Sequence, residues 1–526
     1  MPQYFHPGVY IEEIERGPRP IEGVPTSLPA FLGEAERGPI TPQLVTSYKD
    51  YQRWFGDVYA DDKFLPYAAN GYFENGGTQA YICRLVGTDA ETAQLDLGGQ
   101  FAIRAAGPGT WGARVFVKIV PSTTTDKNKN PVGIRVRVAY WAVPADDFDP
   151  FEDAKKQPRP DIVEDFDDLV AKESSPDYYA KRLPFIDLNK SETQNQGPES
   201  SALIVLVRNI NTPSNVLPAQ AAARLKGGTD SAAIGPADYE GKPDGQRRTE
   251  QGLAALALDP FRDVSLVHAP GVTDQDTTVK IIDHCESLRF RFAVLDSAKG
   301  DAANPGNVNP RENLAIDSSY AAFYYPWIMS SDPRSGARKL IPPGGPVLGV
   351  YARTDTERGV FKAPANEIVR GALALQNNLT DADQDTLNPR GVNAIRSFPS
   401  RGIRVWGART LTSDSLWKYV SVRRLFIFLE RSIYEGTQWV VFEPNDDNLW
   451  ARVKDTIRLF LRSQWRGGAL FGRTEEEAFF ITCDRTTMSQ DDILNGRLIC
   501  EIGIAPVRPA EFVVFRIFQN TAEAQQ

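Results

Sequence analysis

The sequence predicts a mixed α/β fold of several domains, and three observations carry that expectation. At 526 residues the chain is long enough for about three domains. Helix-spaced segments alternate with short apolar strands in two separate stretches, over residues 28–101 and again from Gln251, which is the order of a layered α/β core. Between them, strands of period two follow one another without helices and read as an inserted, mainly β domain over 102–245. The composition is that of a globular protein, with 41% hydrophobic and 24% charged residues. Its 38 prolines and 41 glycines predict many short segments joined by defined turns.

The first thirty-odd residues read as an arm. PGVYIEEI (Pro7–Ile14) is a strand candidate with no hairpin partner beside it, because RGPRPIEGVP follows and its prolines hold the chain extended. LPAFLGEAERGP (Leu28–Pro39) is the first buried strand. SYKDYQRWFG predicts a helix that Gly56 ends, with Tyr48, Tyr51 and Phe55 at helical spacing. A second helix runs through Leu65–Gly77, and AYICRLVG forms the next strand. FAIRAAG, ARVFVKIV and GIRVRVAYWAV alternate as strands of the insertion. An acidic stretch follows: Asp146–Glu173 holds 11 acidic and 4 basic residues. From Gln251, GLAALALDP, VSLVHAPG, a helix over Thr278–Leu288 and FRFAVLDS restore the strand–helix–strand order of a parallel unit. Residues 333–412 are rich in turns. The last part mixes helices and strands.

Most chemical motifs are absent or broken. GPGTWG (Gly107–Gly112) matches G-x-G-x-x-G, but a dinucleotide site needs a helix next, and ARVFVKIV alternates as a strand, so a β-turn is expected. DADQD (Asp381–Asp385) opens like a calcium loop, but Thr386 replaces the glycine and Val392 the bidentate glutamate; a solvated loop is expected. Asp283, His284 and Cys285 are adjacent, so a helix spreads them apart. The four cysteines form no C-x-x-C pair, and reduced thiols are expected. No metal, cofactor or catalytic set is predicted. A net charge of −9 argues against nucleic acid as a direct partner. No apolar run reaches the ~18 residues of a membrane helix, and MPQYFHPGVY lacks the order of a secretory signal.

Two features stand out. DDNLWARVKDTIRLFLRSQWRGG (Asp446–Gly468) predicts a capped helix with Leu449, Val453, Ile457 and Phe460 on one face. Lys454, Arg458, Arg462 and Arg466, each four apart, form a stripe on the other side. It reads either as an ordinary solvated face or as a cationic docking face for an acidic protein surface. The C-terminus, APVRPAEFVVFRIFQNTAEAQQ, carries Phe512, Val513, Val514, Phe515, Ile517 and Phe518 in one largely apolar run. That run is either a final core strand or a strand donated to a neighbouring subunit. With Val9, Tyr10, Ile11 and Ile14, the second reading places one exchangeable strand at each end.

Motifs along most of the chain resemble one family. They are PGVYIEEI with GVPTSLPAFLG, YFENGGTQAYICRL, IPPGGPVLGVYARTDTERGVFKAPAN, LNPRGVNAIR, GIRVWGARTL, WKYVSVRRL, FEPNDDNLW, AFFITCDRTTM and GIAPVRPAEFVVFRI. The chain resembles the contractile tail sheath proteins of myophages and of phage-tail-like contractile injection systems. The C-terminal half is the specific part, and residues 115–245 match least.

The resemblance implies an N-terminal linker arm (1–27), a core in two parts (28–101 and 246–345), an outward-facing insertion (102–245), an inner domain (346–505) and a C-terminal arm (506–526). It implies a non-enzymatic homopolymer of stacked hexameric rings around an inner tube protein, with baseplate, terminator and sister sheath proteins as further partners. It also implies assembly in the bacterial cytoplasm as part of a virion or of a particle released outside the cell. The arms are implied to complete a β-sheet in neighbours, hinged at Pro18, Pro20 and Gly23 and at Pro506 and Pro509. The four cations are implied to face the tube. A competing expectation, from another class, is a multidomain hydrolase with a site assembled from dispersed residues.

Overall fold

The structure, a computed structural model, describes residues 20–152, 155–190, 198–241, 251–300, 310–311 and 314–516. These fall into two compact units. The larger holds Pro25–Arg358 and Ala363–Arg423; the smaller gathers the chain up to Val24, Gly359–Lys362 and everything from Arg424 onwards.

The larger unit opens with β1 (Pro29–Gly33), β2 (Gln43–Val45), α1 (Tyr48–Phe55), α2 (Leu65–Glu74) and β3 (Ala80–Arg84). Every residue of β1 is buried, as the apolar run PAFLG requires of a strand covered on both faces. Ser47 caps α1 by accepting from the Asp50 N–H at 3.1 Å, and Gly56 ends it with a positive φ of 83°, as the sequence predicts.

From Gln94 the chain builds β4 (Gln94–Leu97), β5 (Phe101–Ala105), β6 (Val115–Pro121), β7 (Ile134–Tyr140), β8 (Ile162–Leu169), β9 (Phe185–Asp187), β10 (Ile204–Arg208) and β11 (Ala221–Arg224), with a short helix α3 (Tyr179–Arg182). They form two four-stranded sheets, β4-β5-β10-β9 and β11-β6-β7-β8. Inward residues such as Phe101, Ile103, Val117, Val138 and Leu206 share one apolar cluster. GPGTWG is a turn that runs into a single 3₁₀ segment (Thr110–Arg114) and then into β6. A side chain at Gly107 would sit 2.1 Å from the Gly38 carbonyl oxygen. Close backbone approach, not phosphate binding, explains the glycines.

The chain then returns through α4 (Pro236–Glu240) and α5 (Gly252–Leu256) to β12 (Leu266–His268), α6 (Gln275–Leu288), β13 (Phe292–Asp296), β14 (Ala321–Tyr325), β15 (Ile328–Ser331), β16 (Arg338–Ile341), α7 (Gly344–Arg358), β17 (Glu367–Ile368), β18 (Ala374–Leu375), α8 (Asp381–Leu387), β19 (Val392–Phe398) and β20 (Gly402–Val405). The central sheet has nine strands in the order β17-β20-β19-β14-β13-β12-β1-β3-β2. The run from β3 to β19 is parallel, and β2 and β20 close it antiparallel.

Three segments depart from the sequence reading. GLAALALDP is the helix α5 and a 3₁₀ turn. DADQD is not a solvated loop but the start of α8: Thr380 caps it, accepting from the Asp383 N–H while Asp383 accepts in return from the Thr380 N–H, a capping box. The turn-rich segment 333–412 contains α7, fifteen residues long. Its glycines and prolines look like turn chemistry, yet they are there for packing. A Cβ on Gly345 would lie 2.4 Å from Ala68 Cα, and one on Gly349 would lie 2.5 Å from Asn75 Cβ. The backbones of α2 and α7 approach too closely for side chains at these positions.

In the smaller unit, α9 (Val420–Gly436), which the chain enters from the larger unit, is followed by α10 (Asp447–Arg466), α11 (Glu475–Ala478), β21 (Phe479–Thr482), α12 (Gln490–Leu494) and β22 (Glu501–Ile504). Leu425, Leu429, Trp450, Val453, Ile457, Phe460, Leu461 and Phe479 form its core.

Candidate docking face and strand-acceptor sheet

Asp446 caps α10 through its side chain, accepting from the Leu449 N–H at 2.8 Å, and Gly467 with Gly468 ends the helix. Leu449, Val453, Ile457 and Phe460 are all buried, so the predicted apolar face is the packed one. The opposite face does not present four free cations. Glu475, first residue of α11, lies across its middle. Arg462 donates to it from Nε at 2.6 Å and from Nη2 at 3.2 Å, and Arg458 Nε is 3.5 Å away. Hydrogen bonding from Arg462, then the charges of Arg462, Arg458 and Arg466, hold the Glu475 carboxyl below its usual range, against a desolvation that works the other way. Arg458 remains 49% exposed, and Arg466 is exposed at the helix end. Lys454 is partly buried and acts instead on Cys483 and Asp484. The stripe is therefore a cationic face with an intramolecular counter-ion at its centre.

Beside it lies a feature the sequence reading did not single out. β21 and β22 pair antiparallel, with Phe479 opposite Ile504 and Thr482 opposite Glu501. They form a sheet of only two strands, and no other described strand joins either edge. Phe480 stands 58% exposed on it. A two-stranded sheet is marginal alone and gains from added strands. The alternation in AFFITC was the available signal, but the two partners are separated by a long loop, and local patterning does not report such pairing.

The roots of both terminal segments reach this same unit. Ile21 is buried in its core, the Val24 N–H donates to Ser432 Oγ at 3.2 Å, and a Cβ on Gly23 would meet the Phe428 ring at 3.0 Å. At the other end Pro506 bridges to Leu470, and the Val507 N–H donates to the Ala469 carbonyl at 3.2 Å. Gly23 and Pro506 are thus anchored contacts rather than the hinges expected of them. Beyond Val507 the chain takes no secondary structure as far as Arg516. Phe512, Val513, Val514 and Phe515 are between 67% and 85% exposed, so within the single chain they are not a core strand. Ile517 and Phe518 lie outside the described residues, as do Val9, Tyr10, Ile11 and Ile14.

Comparison with known proteins agrees with this architecture. Residues 233–411 match the family model described as the phage tail sheath protein central domain. Residues 412–520 match the phage tail sheath C-terminal domain, so the two adjoining matches together take in more than half of the chain. A putative prophage major tail sheath protein of Pseudomonas aeruginosa is 24% identical over 55% of this chain and 72% of its own length. The tail sheath protein of Vibrio phage KVP40 is 24% identical over 40% of this chain, which spans only 31% of that longer relative.

Among solved structures, the sheath of the extracellular contractile injection system PVC in its contracted state matches over the whole of both chains, with TM-score 0.58 and 23% identity. The contracted helical sheath of the anti-feeding prophage matches over 98% of this chain and 99% of its own, with TM-score 0.56 and 24% identity. These last likenesses speak to fold, and the family matches carry the rest: the chain belongs to the phage tail sheath family and is a structural subunit of a tail sheath.

Proposed function

We propose that this subunit polymerises as stacked hexameric rings around an inner tube protein, above a baseplate, and that the array shortens on triggering to drive the tube through a target envelope. The observation that carries the proposal is the two-stranded β21–β22 sheet, with no other described strand on either edge, in the same unit that roots both terminal segments. An N-terminal strand over Val9–Ile14 from one neighbour and a C-terminal strand over Phe512–Phe518 from another would make it four-stranded. An added strand brings about four to six backbone hydrogen bonds at ~0.5–1.5 kcal/mol net each, with apolar burial at ~25 cal/mol per Å² in addition. Such links outlast the weaker contacts that break as rings slide, and subunits then move as rigid bodies on their arms.

Lys454, Arg458, Arg462 and Arg466 dock an acidic surface of the tube. Tube carboxylates compete with Glu475 for Arg458 and Arg462, so the contact is exchangeable and sensitive to salt. The role is mechanical, without catalysis or cofactor, and the insertion faces outward. Terminator and sister sheath proteins complete the partners. Assembly takes place in the bacterial cytoplasm before the tail or particle is released.

Electron microscopy of the purified chain tests this. The full chain gives hollow cylinders or rings, and a chain lacking Phe512–Gln526 stays folded but monomeric. Cylinders formed normally by the truncated chain overturn the arm assignment.

A further inference from the structure

Cys483 and Cys500 have no part in the proposed assembly, yet the fold sets them against each other. The β21–β22 register pairs Thr482 with Glu501, and one further step sets Cys483 opposite Cys500. The Ala505 N–H donates to the Ala478 carbonyl at 2.9 Å. Bonded and non-bonded pairs alternate along an antiparallel ladder. Hence 478/505, 480/503 and 482/501 are hydrogen-bonded pairs, and 483/500 is a non-bonded one. That class brings Cα atoms to about 4.5 Å with side chains closest, within the ~4.4–6.8 Å that a disulfide spans. The two thiols are near enough that each acts on the other's ionisation. Cys483 is buried and Cys500 only partly so, leaving one sulfur within reach of solution. Cys83 and Cys285 are fully buried in the larger unit.

We infer that Cys483 and Cys500 are an oxidisable dithiol whose disulfide closes the loop of residues 484–499 and staples the end of the β21–β22 sheet. The oxidant is a small-molecule disulfide, RSSR, of the glutathione type. The Cys500 thiolate attacks one sulfur of RSSR, breaking the S–S bond and expelling RS⁻, which takes up a proton. The Cys483 thiolate then attacks Cys500 Sγ in the mixed disulfide and expels the second RS⁻. Two protein thiols are oxidised and one RSSR becomes two RSH.

Burial raises both thiols, Cys500 to about 12. At Cys483 the Cys500 contact and the Lys454 ammonium oppose the rise, while Asp484 adds to it. The thiolate fraction at neutral pH is therefore small and the exchange slow. The pair stays reduced in a cytoplasm poised by reduced glutathione and closes after exposure to an oxidising exterior. That closure would lock a sheet already holding its neighbours' strands, a consequence that rests on the acceptor reading; the dithiol itself does not.

The test incubates the reduced, dissociated full chain with glutathione disulfide, quenches with a thiol-blocking reagent, and maps cysteines by mass spectrometry after non-reducing digestion. The expected result is loss of two hydrogens per chain, a linked peptide pair joining Cys483 to Cys500, Cys83 and Cys285 unreacted, and a rate rising about tenfold per pH unit below the thiol pKa. Cys500→Ser removes the linkage. Accumulation of Cys500 as a stable glutathione adduct, a linkage to another cysteine, or no oxidation while the urea-unfolded chain oxidises readily would each overturn it. The readout precedes assembly, so a failed arm assignment would leave the linkage in place. Comparing detergent resistance of reduced and oxidised cylinders tests the lock separately.

Discussion

Glu475 governs how the cationic face of α10 behaves. It neutralises Arg462 through two hydrogen bonds and stands within reach of Arg458. Because this pair lies at the surface, where screening by water weakens ion pairs, Arg462→Ala should shift the urea midpoint only slightly. Glu475→Gln should instead free two cations, and cosedimentation with the inner tube should become stronger and more salt-dependent. Unchanged salt dependence in that variant would remove the docking role. The carboxyl is lowered on folding, so its contribution is present above the unfolded pKa and is lost as pH falls through the lower, folded one.

His284 makes a second prediction. Desolvation first, and the Arg291 charge second, push it from 6.5 down to about 3, and the Arg291 guanidinium donates to its Nε2 at 2.6 Å. The unfolded chain thus binds a proton that the folded chain refuses. Stability falls as pH drops from about 6.5 towards 3, and His284→Gln should flatten that part of the profile of urea midpoint against pH.

At the scale of elements, what was legible depended on where each element keeps its instructions. α1 and α10 carry their own caps and apolar stripes, with Ser47 and Gly56 at one, Asp446 and Gly467 at the other, and their patterns were sufficient. α7 carries no such stripe, because α2 and the core bury its first eleven residues on all sides. Its helicity is set by a partner 270-odd residues away in sequence, and a pattern of Gly and Pro conceals it. Gly345→Ala and Gly349→Ala should each destabilise the protein by about 1–3 kcal/mol or more through overpacking. Gly235→Ala, whose Cβ would meet nothing within 4 Å, causes no overlap and loses only the preference for glycine at the N-cap of α4, so it should cost under about 1 kcal/mol. Thermal melts of the three variants compare them directly. Equal effects at all three sites would remove the close-packing account. For α8, Thr380→Ala should cost about 1 kcal/mol by loss of its cap.

At the scale of the molecule, Phe512–Phe515 are four exposed apolar residues in a row, a run that a soluble single chain does not retain without something to cover it. Val514→Pro would remove a ladder donor from a strand pairing with a neighbour, while its own chain makes no strand there to lose. The melting temperature of the dissociated chain should be unchanged within about a degree, since surface changes away from contacts are nearly neutral, and cylinders should fail to form or should dissociate in mild detergent. Normal cylinders from this variant would show that the C-terminal segment holds nothing together.

By itself the sequence determined the α/β class, the run of strands through Phe101–Ala105, Val115–Pro121 and Ile134–Tyr140, the capped basic helix and the turn at Gly107–Gly112, because each is written in local spacing and local turn chemistry. Only the tertiary structure decided that Glu475 sits among the arginines, that α7 is a helix, that Gly23 and Pro506 are anchors, and that Cys483 faces Cys500. All four depend on residues brought together across the fold. Their energies come from contact and register, which no window along the chain contains.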